Sequence, residues 1–110
     1  MEAKKRLSPF GSRARLWRLT SQAAASQFVT GLLDIVFIDG DHSRSAVLAD
    51  IQAWLPHVRA GGLLAGHDLF NPAFDGVLEA LLIHFNTTAR AAVSPGTIHF
   101  GVDYVWWIHV

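Results

Sequence analysis

The sequence predicts an α/β fold built on a mostly parallel sheet, and three observations predict it. Leu33-Asp34-Ile35-Val36-Phe37-Ile38 is a run of strand-forming residues that stops abruptly at Asp39-Gly40-Asp41-His42. Leu63-Leu64-Ala65 repeats the theme on a smaller scale and ends in Gly66-His67-Asp68. After each run, apolar residues recur at helical spacing: Val47, Leu48, Ile51, Trp54 and Leu55, then Val77, Leu78, Leu81, Leu82 and Phe85. Strands alternating with helices imply parallel strands joined by right-handed crossovers. In such sheets ligands bind beyond the carboxyl ends of the strands. Both acidic tips lie there.

Taken in order, Glu2–Leu7 has the make-up of one or two helical turns, stopped by Ser8-Pro9 and Gly11. Arg15–Leu19 alternates polar and apolar residues and predicts a short strand. Thr20-Ser21 offers an N-cap for a helix over Gln22–Phe28, which Thr30-Gly31 breaks. Ser43 caps the next helix, and Pro56 with Gly61-Gly62 ends that segment. Asp75 can cap the third helix. Ala89–Gly96 is a connection, and Thr97–Phe100 with Asp103–Val110 predict two closing strands around a corner at Gly101. If every crossover runs the same way along the sheet, all three helices share one face. Leu33, Ile35 and Phe37 nevertheless point opposite to Val36 and Ile38, so both faces are apolar and one is left bare.

Bulk properties narrow the field. A length of 110 residues suits a single domain, and 51% hydrophobic with 16% charged residues describes a globular chain. The formal charge is zero, which argues against nucleic acid or an anionic membrane as partner. Lys4, Lys5, Arg6, Arg13, Arg15 and Arg18 do crowd the start against Glu2 alone, but without an aromatic platform they read as a solvated helix face. The chain has no cysteine, which excludes disulfides and thiolate metal sites. No apolar run approaches the roughly 20 residues of a membrane span, and no signal-peptide core opens the chain. The expected location is the cytoplasm.

Asp39 and Asp68 hold equivalent places at two strand tips. On neighbouring strands their carboxylates would converge on one hard cation, Mg²⁺, Mn²⁺ or Ca²⁺. Asp41, His42, His67 and Asn71 are near enough in sequence to assist. The plainer reading is that Asp39 and Asp41 cap loops. His42 and His67 have the chemistry of general bases, although loop histidines also serve as ordinary hydrogen-bonding groups. His57, His84, His99 and His109 lack acidic neighbours and read as structural, and the four tryptophans as packing.

Ile38-Asp39-Gly40-Asp41-His42-Ser43, the helix through Asp50 and Trp54-Leu55-Pro56, and Gly61–Asp68 together closely resemble the C-terminal half of class I S-adenosylmethionine-dependent methyltransferases. The nearest subgroup is the bacterial family with an IDGDHS motif at its fourth strand, similar to metal-dependent O-methyltransferases of the catechol type. The resemblance runs from about Arg15 to Val110. It implies a Rossmann-like methyltransferase sheet with an antiparallel closing strand. It also implies that Asp39, Asp68 and Asn71 hold Mg²⁺ or Mn²⁺, that Ser21, Gln22, Asp39, Gly40 and His42 meet S-adenosylmethionine, and that Asp39, His42 and His67 serve catalysis. A small-molecule hydroxyl would be the acceptor. Two departures stand out. Leu69 follows Asp68 where the catechol-type pattern has Asn, leaving His67 or Asn71 to substitute. The family's glycine-rich loop and its ribose-holding acid have no counterpart, which implies a single partial domain lacking the first two strands. Two rival readings are a non-catalytic remnant that self-associates through the bare face, and a metal-dependent hydrolase using Asp39, Asp41, His42 and Asp68.

Overall fold

The computed structural model describes residues 2–87 and 98–110, and the connection expected over 89–96 lies outside them, as does Thr97. Four strands form one sheet in the order β1-β2-β4-β3, where β1 is Leu33–Ile38, β2 Val58–Gly66, β3 His99–Phe100 and β4 Trp106–His109. β1 and β2 are parallel; β4 closes antiparallel to β2, and β3 adds antiparallel to β4. The helices are α1 (Glu2–Leu7), α2 (Ser21–Ala25), α3 (Arg44–Trp54) and α4 (Gly76–Thr87).

Local chemistry accounts for the boundaries. The Thr20 hydroxyl accepts a bond from the Ala23 amide at 3.2 Å and starts α2, and the Ser43 hydroxyl accepts from the Ala46 amide at 3.3 Å and starts α3. α3 and α4 lay Val47, Ile51, Val77, Ala80 and Leu81 against Ile38, Leu64, Trp106 and Ile108 to make the core. His84 is buried on α4, and that burial holds its imidazole below the ordinary 6.5.

The opposite sheet face is largely open among the described residues: Ile35 and Phe37 are 60% and 52% exposed. Pairing places Ile35 beside Leu63 and Phe37 beside Ala65, with Trp107 next across the sheet. The outer edge of β1 has no strand partner among the described residues. No helix among them is long and apolar enough to cross a membrane.

Three expected boundaries are corrected. Arg15–Leu19 is not a strand. An alternating segment becomes a strand only where a neighbouring edge takes its backbone bonds, and here Trp17 instead stacks on Phe28 at 5.4 Å, which in turn packs on Trp54. β2 begins at Val58 and runs through Gly61, whose φ of +81° accommodates an irregular register opposite β1. The final strand begins at Trp106, because Val102–Tyr104 form a short 3₁₀ turn with Asp103 and Tyr104 in the left-handed region.

Candidate active site

Parallel pairing brings the two acidic tips together. Ile38 is in register with Gly66, and the His67 amide donates to the Ile38 carbonyl at 3.1 Å, so Asp39 and Asp68 leave adjacent strands side by side. Gly66 is required at this point: a Cβ there would fall 2.6 Å from the Trp106 ring that lies over it.

Asp68 is the centre of the cluster. Its side chain is only 5% exposed, and its φ of +67° is a left-handed conformation that Asp tolerates better than most residues. One carboxylate oxygen meets His42 Nε2 at 2.5 Å. The other accepts from Asn71 Nδ2 at 2.9 Å and faces His67 Nδ1 at 3.2 Å. Burial alone would raise the Asp68 pKa. The Asn71 amide and the two imidazoles outweigh it and hold the group below its ordinary 3.8. His67 Nδ1 also lies 3.7 Å from Asp39, so this imidazole stands between both carboxylates.

His42 is held from two sides. Its ring stacks on Phe74 with centroids 4.1 Å apart, and α4 begins at Gly76 directly against the backbone of residues 42–44. Asp41 does something different: its carboxylate accepts from the Ser43 amide at 2.9 Å, the loop-capping role. Asp39, His42 and Asp68 each offer a donor atom, all within 4.8 Å of one another. Two carboxylates and an imidazole suit a divalent cation of the Mn²⁺ or Mg²⁺ kind, with water completing the shell. Asn71, expected as a further ligand, lies against the Asp68 carboxylate. Its amide oxygen accepts from the Ala73 amide at 3.0 Å, so it turns its NH₂ toward Asp68 and orients that carboxylate.

Two of the residues expected at the methyl donor, Ser21 and Gln22, bond to α3, and Gln22 does so through a residue to which the sequence assigned no role. Ser21 Oγ accepts from Trp54 Nε1 at 2.8 Å, and Gln22 Nε2 donates to Asp50 at 3.2 Å. The other Asp50 oxygen is the nearest atom to the place a Gly40 Cβ would occupy, at 3.6 Å. Buried Asp50 therefore accepts from Gln22 and lies close to Gly40. A signal for it existed, since an acid sits within the Val47, Ile51 and Trp54 stripe. Phe74 had none.

An α/β sheet with an acid–imidazole cluster across two adjacent parallel strand tips fits the Rossmann-like class, in which ligands lie beyond the carboxyl ends of the strands. A family model described as a methyltransferase domain matches residues 2–69, more than half of the 110, with both acidic tips inside the match. The chain belongs to this methyltransferase family. No curated protein matches it.

Proposed function

We propose that this protein transfers a methyl group from S-adenosylmethionine to a hydroxyl oxygen of a small-molecule acceptor, assisted by Mg²⁺ or Mn²⁺. One observation carries the reading: in a chain of the methyltransferase family, Asp39, His42 and Asp68 bring their donor atoms within 4.8 Å at two neighbouring strand tips. When bound, the cation would hold the acceptor oxygen and lower its pKa. The chain's own residues do the rest. Asp68, kept ionised by Asn71, His67 and His42, and Asp39 beside it supply the negative charge. His67 turns Nδ1 to the carboxylates, leaving Nε2 to take the acceptor proton. With S-adenosylmethionine bound, the donor would supply the methyl carbon to the acceptor oxygen, its carbon–sulfur bond breaking with the electron pair left on sulfur.

The donor side rests on Ser21, Gln22, Asp39, Gly40 and His42. The cavity at Asp39–His42 measures only about 10 Å³, so a nucleoside would lie across the surface above these residues. A cleft of about 290 Å³ beside His42, walled by Phe74, Gly76 and Glu79, has the size for a small acceptor. The test is incubation with donor carrying a tritiated methyl group and catechol as acceptor probe. Label should reach the catechol, stop with EDTA and return with excess Mg²⁺. Unlabelled catechol from a folded, Mg²⁺-supplied sample would contradict the reading.

The open sheet face favours a second reading, self-association with or without catalysis. Ile35 and Phe37 present apolar surface beside a strand edge that is unpaired among the described residues, where the family resemblance places two further strands. Sedimentation velocity should then show dimers or larger species that Phe37→Lys converts to monomer. A wild-type monomer at tens of micromolar would remove it.

A further inference from the structure

Trp106 is 1% exposed, and its indole Nε1–H is a buried donor with no hydrogen-bond partner among the described residues. A buried N–H of this kind ordinarily finds an acceptor, from protein or from ordered water. The ring is fixed by its seat over Gly66, where a Cβ would fall 2.7 Å from Nε1, and Gly66 directly precedes His67 and Asp68. Trp106 also lines the cavity of about 10 Å³ that Asp39, His42, His67 and Asp68 enclose. That volume is about the least that takes one water, and a buried water needs two to four polar partners. Here the same small cavity is lined by a tryptophan whose indole donor is unpartnered among the described residues and by two carboxylates that can accept.

We propose that Trp106 Nε1–H holds one buried water in this cavity, and that this water is an oxygen ligand of the cation shared by Asp39 and Asp68. Trp106 is thus a positioning residue that ties the cation's shell to β4. The inference rests on the cation reading given above. It adds a partner from β4, the strand that pairs with β2 on the side away from β1, beyond the two strand tips that supply the acids.

The ¹⁵N-labelled chain tests it, since its four tryptophans give four indole N–H signals. Trp106→Phe identifies the relevant one by its loss; should that variant not fold, Trp17→Phe, Trp54→Phe and Trp107→Phe identify it by elimination. The Trp106 signal should show cross-relaxation with a long-lived water and should shift as Mg²⁺ saturates the site. Folded Trp106→Phe should bind Mn²⁺ roughly tenfold more weakly, the low end of what losing an outer-shell partner costs. Cation binding that leaves the Trp106 signal unmoved overturns this inference and spares the cation reading. Absence of any cation binding overturns both.

Discussion

Asp68→Asn should weaken Mn²⁺ binding by at least the roughly 10- to 100-fold that loss of an outer-shell partner costs, as read by the electron paramagnetic resonance of free Mn²⁺. The substitution is close to isosteric, and Asn also tolerates the left-handed backbone found at this position, so the fold has little reason to move. What disappears is the charge that His42 and His67 face. The same change should alter the acid limb of stability. The Asp68 pKa is lower folded than its ordinary 3.8. Its contribution is therefore complete above 3.8 and is lost as pH falls through the lowered value. Wild type and Asp68→Asn should accordingly differ in stability at neutral pH and converge in strong acid. Asp41→Asn supplies the contrast, because that carboxylate is engaged with the Ser43 amide. It should leave Mn²⁺ affinity unchanged. Equal affinity in wild type and Asp68→Asn would remove the shared-cation account.

Gly76→Ala should be the most damaging single methyl group. An added Cβ would run into the His42 carbonyl and come within 2.6 Å of the Arg44 amide and 2.9 Å of the Ser43 carbonyl carbon. These are backbone atoms of the segment that opens α3, and they cannot swing aside as a side chain would. α4 would have to lift away from α3, parting Val77 and Leu81 from Val47 and Ile51. Overpacking of this kind costs about 1–3 kcal/mol, occasionally more, and each kilocalorie lowers the melting temperature by about 4–8 °C in a domain of this size. Because the clash is with the backbone of His42, Mn²⁺ affinity should fall as well. Gly40→Ala is the control for stability, since its Cβ would find only an ordinary contact with Asp50 at 3.6 Å. A Gly76→Ala chain that melts with wild type would show that this helix junction is not packed as described.

The parts of the fold that are written locally were legible in the sequence. The β1 run needed only its own residues, and the caps at Thr20 and Ser43 act on amides three positions away. The equivalence of Asp39 and Asp68 followed from two similar strand ends, and pairing in register turned that equivalence into proximity. The bare face was legible too, from apolar residues at both parities of β1. What was not legible depends on partners distant in sequence. Arg15–Leu19 alternates like a strand, but strand formation is decided by an edge the segment does not reach. Asn71 was visible as a polar neighbour of Asp68, yet which end of its amide faces the acid is fixed by the Ala73 amide and a turn. Asp50 looked like one polar residue in a helix until α2 placed Gln22 against it. Trp106 was assigned to packing. It does pack, but nothing in the sequence shows that its N–H is buried without a partner among the described residues, in the cavity that the acids also line.

Calorimetric titration with S-adenosylhomocysteine, with and without Mg²⁺, tests most directly whether the acid–imidazole cluster serves methyl transfer. The account predicts micromolar binding whose heat disappears when Gln22 or Asp39 is replaced by Ala, and a measurable change in affinity when Mg²⁺ is present. No binding heat from a folded sample, in either condition, would contradict it and would leave this chain a member of the methyltransferase family that does not take up the methyl donor by itself.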